Sequence, residues 1–393
     1  MEPIFVMQSP DVWMLLMFLL PFVFAPMFLL SRRIPSLVPE GHLQTKWIDG
    51  LRGVAAALVA MNHAPYVLTN LAIVPKAFVY DPIASNIPSL FGAFGVQLFF
   101  CITGFLFAGK ALSQNKVDWT EFYEKRVRRT VPAYIAAAVL ALAVATWFSW
   151  PIVQAPVEIV KSLPAVFAFK LVPLPVINDF DFRRLIGVAW TLGIEWKFYL
   201  ILPILYIAAK KSLRATLVAI VGFAIADLWL TGLSSWSFFI PGAFSFFIAS
   251  NQFGRHIRNI AGVIALFALI FMFCRVGQKT IYGFEQWVTV FVLFVALTVS
   301  RPKVLSFGVF VAMGSVSYSF YLLHCMVLFL VFGAIHLYVS DVGYFSIVDF
   351  AFLAGLTLCF STAVATASFM FIERRYMHTS QVEKAGVHQL GVN

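Results

Sequence analysis

The chain has 393 residues, 61% of them hydrophobic and only 12% charged, with a mean hydropathy of +0.89. A soluble domain carries roughly 25% charged residues, so the polar surface here is too small to cover a water-soluble globule and lipid must solvate part of the chain. The net charge of +10 does not indicate a nucleic-acid partner, because the basic residues fall between apolar runs, as expected of loops facing anionic lipid and anionic cofactors.

Apolar runs long enough to span a bilayer, or nearly so, cover approximately 12–31, 50–69, 90–110, 130–149, 186–209, 214–231, 237–250, 259–274, 284–300, 315–338 and 346–371. They predict an all-α polytopic membrane protein with about eleven transmembrane helices. The first run is read as a retained helix and not a secretory signal, since Glu2 and Asp11 but no Lys or Arg precede it and no small-residue cleavage site follows. The 237–250 run is short and contains Pro241, so a tilted, broken or one-sidedly extended span is expected there. Between 150 and 185 lie Pro151, Pro156, Pro164, Pro173 and Pro175. That segment is read either as an entrance or lid, or as an interfacial stretch on the headgroups. With the N-terminus outside, 20 of the 28 Lys and Arg residues fall on the cytoplasmic side, seven outside, and Lys197 within a helix. The C-terminus is then cytoplasmic. The expected organisation is an extra N-terminal helix and cytoplasmic linker (1–47), a transmembrane domain (48–376) and a short cytoplasmic tail (377–393). Cys101, Cys274, Cys325 and Cys359 all sit in apolar segments without zinc-site spacing; they read as small packing residues, and no metal site is expected.

Ionisable residues inside apolar runs are costly and tend to be functional. Arg52 and His63 are eleven residues apart, three helical turns plus roughly 20°, so they share a face about 16 Å apart. That spacing suits an anionic ligand with its head at Arg52 and its reactive end near His63. The plainer alternative makes Arg52 a topology anchor and His63 a packing hydrogen-bonder. Glu195 lies about ten residues from each end of its run, with Tyr199 one turn on. A carboxylate there can bind a hydroxyl, orient an imidazole or accept a proton; the rival reading is a structural salt bridge. His324 follows Tyr321 and Ser317 by three and seven residues, and is either a site residue or a packed histidine. Arg126 and Arg129, one turn apart in a cluster leading to Pro132, are either a clamp for phosphate groups or a topology signal. The span assignments place His63, Glu195 and His324 at similar depth, with the arginines beneath them.

The sequence resembles the integral-membrane acyltransferase-3 family over about 48–376. The likeness rests on Asp49-Gly50-Leu51-Arg52-Gly53 with His63, an Arg-x10-His signature, and on Gly95 to Phe100 with Thr103-Gly104-Phe105. It continues through Arg126, Arg129 and Pro132, then Trp190, Glu195, Phe198, Tyr199 and Pro203. Ser317-Tyr318, Tyr321-Leu322 and His324 follow, and Phe371 to Arg374 close the match. Thr103 stands where many members have Ser, and the helix at 12–31 precedes the usual core.

The resemblance implies a ten-helix core that takes an acyl group, usually acetyl from acetyl-CoA as co-substrate, and passes it to a carbohydrate or glycolipid hydroxyl. It makes His63 the leading catalytic residue with Glu195 and His324 beside it. Arg52, Arg126 and Arg129 become contacts for CoA phosphates, and Asp49, Tyr199, Ser317 and Tyr321 acceptor or supporting residues. No permanently bound cofactor is implied, and the expected location is a bacterial cytoplasmic membrane. His63 serves either as general base or as transient acyl carrier. Because the extracytoplasmic hydrolase-like domain that some members append is not seen, this chain is expected to finish the transfer itself or to hand the group to a separate extracytoplasmic transferase. The alternative from another class is a proton-coupled transporter or flippase of a polar substrate, for which no inverted repeat is visible. A structural scaffold ranks last, since it leaves the buried ionisable residues unexplained.

Overall fold

The computed structural model describes residues 5–38, 46–275 and 281–377. Part of the linker expected before residue 48, Lys279, Lys384 and nearly all of the 377–393 tail lie outside the described residues.

Each of the eleven apolar runs forms a helix. In chain order the helices are α1 (Ser9–Arg33), α2 (Lys46–His63), α3 (Asn86–Ser113), α4 (Trp119–Phe148), α5 (Pro156–Phe167) and α6 (Arg183–Lys211). They continue with α7 (Leu213–Thr231), α8 (Trp236–Ala249), α9 (Arg255–Cys274), α10 (Phe284–Ser300), α11 (Gly308–Tyr338) and α12 (Ile347–Met377). Among the described residues eight of these are long and apolar enough to cross a membrane. Of the expected spans, α8 and α10 are shorter, and α2 carries Lys46, Asp49 and Arg52 within its 18 residues. The charge that lowers the hydropathy of α2 is part of what makes it a candidate functional helix.

Burial separates an inner group from an outer one. On α2, α3 and α11 most residues are buried, and they form the centre of the bundle. By contrast α7 is apolar on all sides yet leaves Val218 73% and Trp229 86% exposed, which is stable only against lipid. Helix α1 is a buttress behind the centre. The Thr362 hydroxyl of α12 donates to the Val23 carbonyl at 3.1 Å, and the Ser315 hydroxyl of α11 to the Leu37 carbonyl at 2.8 Å.

Strands are few. Strand β1 (Phe5–Met7) pairs in parallel with β2 (Phe78–Tyr80), Phe5 opposite Phe78, and β3 (Val176–Ile177) pairs antiparallel with β4 (Phe180–Asp181). The proline-rich segment is thus the amphipathic α5 followed by this hairpin. Asn178 ties it down, accepting from the N–H groups of Val153 and Gln154 at 2.9 and 3.1 Å and donating to the Pro151 carbonyl at 3.1 Å. Phe169 stacks on Tyr134 of α4 with centroids 4.1 Å apart.

Candidate active site

Glycine sets how closely α2 approaches its neighbours. A Cβ on Gly314 of α11 would lie 1.9 Å from the Asp49 carbonyl oxygen, and one on Gly50 would lie 1.7 Å from that of Leu305. On the other flank, a Cβ on Gly95 of α3 would meet the Ala55 carbonyl oxygen at 2.6 Å. Three backbones are therefore in near contact, the small-residue mode of helix packing in membranes. Because α2 and α11 run in the same direction, this contact puts Arg52 and Ser317 on one cavity and His63 beside His324, ring centroids 5.3 Å apart.

The cavity has a volume of about 80 Å³ and is bounded by α2, α3, α4, α6 and α11. It takes in seven of the ten site residues read from the sequence: Arg52, Arg126, Arg129, Glu195, Tyr199, Ser317 and Tyr321. His63, His324 and Asp49 are not on its wall, and none of residues 150–185 lines it. Asp49 sits in the first turn of α2, with its main chain pressed against Gly314.

Charge in the cavity is unbalanced. Three guanidiniums face one carboxylate, and among the described residues no ion pair within 4.0 Å joins Glu195 to any of them. Glu195 instead accepts from the Thr103 hydroxyl at 3.1 Å and from the Tyr199 hydroxyl. The Arg126 guanidinium lies over the Phe107 ring at 4.4 Å, and its Nε is buried without a hydrogen-bond partner among the described residues. Arg128, the neighbouring basic residue, is bound to Glu124 at 2.6 Å on the helix exterior. A cluster of planar donors that includes one buried, unused N–H matches the geometry of phosphate oxygens.

The histidine pair forms a second centre, further along α2 and α11. His324 is fully buried, and its Nδ1 lies 2.9 Å from the Phe320 carbonyl. A carbonyl can only accept, so Nδ1 carries the proton and Nε2 keeps a free lone pair. His63, half-buried, is the last residue of α2. Tyr321 links the two centres. It lines the cavity, contacts the Thr191 hydroxyl at 2.8 Å, and its ring centroid is 6.2 Å from that of His324.

Glu195 lines the arginine cavity, bonded to Thr103 and Tyr199, whereas His63 and His324, which the span assignments placed at similar depth, are not on that wall. Cys325, read from the sequence as a packing residue, has its Sγ 3.4 Å from His324 Nε2. Reasoning from sequence also missed Thr191 and Phe107. Thr191 carries a detectable signal, lying one turn before Glu195 on the same face, whereas nothing local distinguishes Phe107 among 43 phenylalanines. Glu373 is also buried, accepting from the Ser319 hydroxyl at a π-helical turn, Phe369–Glu373, within α12.

A polytopic helical bundle with a cationic cavity inside it and a histidine pair further along the same helices defines an integral membrane protein with a charged interior cavity. The chain belongs to the acyltransferase-3 family, whose acyltransferase domain matches residues 45–366. It is similar to the peptidoglycan O-acetyltransferase OatA of Listeria monocytogenes, 24% identical over 331 residues that cover 70% of this chain and 48% of that protein. It is also similar to the O-acetyltransferase OatA of Staphylococcus aureus, 25% identical over 279 residues that cover 59% of this chain and 45% of that one. The chain thus spans about half the length of the curated relatives it matches. No solved structure matches it significantly.

Proposed function

We propose that this chain is a membrane O-acetyltransferase that takes acetyl from acetyl-CoA at the cytoplasmic end of the bundle and delivers it to a carbohydrate hydroxyl on the far side of a bacterial cytoplasmic membrane. The observation that carries this reading is the unbalanced trio Arg52, Arg126 and Arg129, set one stretch of helix away from the His63–His324 pair. The arginines bind the phosphates of the donor. The pantetheine arm then runs past Ser317 and Tyr321 and brings the thioester to the histidines. His63 takes the proton of the acceptor hydroxyl as its oxygen attacks the thioester carbonyl. The carbon–sulfur bond breaks, and the departing CoA thiolate recovers that proton from the imidazolium. His324, its Nδ1 committed to Phe320, holds the second imidazole in place. The Listeria monocytogenes relative, named for peptidoglycan O-acetylation, supports a cell-wall glycan as the acceptor class.

The test is release of free CoA thiol from acetyl-CoA by purified protein supplied with a glycan acceptor. Replacing His63 with Ala is expected to lower kcat by about 10²–10⁴-fold while leaving the KM for acetyl-CoA near its original value. Full turnover by that variant, or uptake of a polar solute without thiol release by the unaltered protein, would sink the proposal.

A further inference from the structure

The His63, His324 and Cys325 ligand atoms all lie within 4.8 Å of one another. From this cluster we infer a binding site for a thiophilic divalent cation of the zinc class, which shuts off acyl transfer when bound. Three independent features point to it. The first is spacing. A tetrahedral zinc with Zn–N of about 2.05 Å and Zn–S of about 2.3 Å sets N···S edges near ~3.6 Å and N···N edges near ~3.3 Å. The observed His324 Nε2 to Cys325 Sγ distance of 3.4 Å already matches such an edge, and the two edges to His63, no longer than 4.8 Å, need only a modest rotation of its ring to close.

The second feature is orientation. The bond from His324 Nδ1–H to the Phe320 carbonyl fixes the tautomer and aims the Nε2 lone pair at the cluster, the same outer support that metal-ligating histidines ordinarily have. The third is local charge. Helix α2 ends at His63, so the negative end of its dipole lies in this region and favours a cation. The donor set is two imidazoles and one thiol, with no carboxylate among them, which selects zinc-class ions over magnesium or calcium. On binding, the Cys325 thiol loses its proton to water, and the thiolate and the two neutral imidazoles each donate an electron pair. The ion gains one negative ligand and the site a net charge of +1.

The inhibitory consequence rests on the proposed role of His63, because a coordinated imidazole has no lone pair left for a hydroxyl proton. Binding itself does not depend on that role. Two readouts keep them apart, both in a background where Cys274 and Cys359 are serine. Titration of the purified full chain with cobalt(II) alone is expected to give one equivalent bound and a near-ultraviolet thiolate-to-cobalt band. Cys325→Ser should abolish the band, and either Cys325→Ser or His324→Asn should weaken zinc binding by at least tenfold, measured against a chromophoric chelator. A band that survives Cys325→Ser, or zinc affinity unchanged in both variants, overturns the site. Zinc alone is expected to inhibit acetyl-CoA turnover reversibly, with chelator restoring it and Cys325→Ser raising the inhibitory concentration at least tenfold, each protein being compared with its own metal-free turnover. Turnover unaffected by zinc at saturating cobalt-competitive concentrations overturns the inhibitory role even if the site binds.

Discussion

Replacing Arg126 with alanine isolates the phosphate end of the proposed reaction. The Arg126 guanidinium is stacked over Phe107 at 4.4 Å and keeps an unpartnered, buried Nε in the cavity. A hydrogen bond from a charged donor contributes about 1.5–3 kcal/mol. Removing one guanidinium also relieves repulsion from Arg52 and Arg129 in the ligand-free protein, which moves the net loss toward the lower end of that range. The expected result is a ten- to roughly hundredfold rise in KM for acetyl-CoA with kcat changed little, because the phosphates are held equally in ground and transition states. The decisive control is a truncated donor, acetyl-pantetheine, which lacks the phosphates. Its turnover should be the same in both proteins. Thermal stability without donor should be unchanged or slightly higher in the variant, while the stabilisation conferred by saturating CoA shrinks. If acetyl-CoA and acetyl-pantetheine lose activity equally, or if kcat falls at constant KM, Arg126 does not read phosphate and the assignment of this cavity fails.

Thr103→Val leaves the Glu195 carboxylate with one hydroxyl donor fewer and is expected to lower kcat/KM about tenfold, whereas Thr103→Ser restores the bond and should retain most of the activity; equal loss in both would show that volume and not the hydroxyl matters. Gly314→Ala drives a methyl into the Asp49 carbonyl and should destabilise the protein by about 1–3 kcal/mol or more in detergent melting. Gly222→Ala on α7, where no atom lies within 4 Å, is the control expected to melt like the unaltered chain. At the opposite end of the bundle, Asp341 accepts from the Gly343 N–H at 2.9 Å and faces Lys76 at 3.4 Å, and these contacts hold its carboxyl below the usual range. A depressed carboxylate pKa stabilises the fold at pH above the ordinary carboxylate value, and that contribution is lost as pH falls through the lowered one. Hydrogen exchange in the 339–346 loop should therefore quicken only under acid conditions, and Asp341→Asn should remove the pH dependence.

The sequence by itself determined the helices and their order, because hydropathy over a run of residues and 3.6-residue phase are local properties of the chain. Arg52 and His63 were legible as one face of one helix for the same reason, as were Glu195 with Tyr199 and the Arg126–Arg129 turn. The relation between helices was not legible. How far α6 slides along α2, and hence that Glu195 joins the arginines and Thr103 instead of the histidines, depends on which backbones can touch. The contacts of Gly314 with Asp49, Gly50 with Leu305 and Gly95 with Ala55 set how α11 and α3 lie against α2, the Thr103–Glu195 bond shows where α6 then sits against α3, and a hydropathy plot scores each of those glycines as nearly neutral. The same registration turned Cys325 from one more apolar residue of α11 into a neighbour of two imidazoles, since its partner His63 comes from a helix more than 250 residues away in the chain.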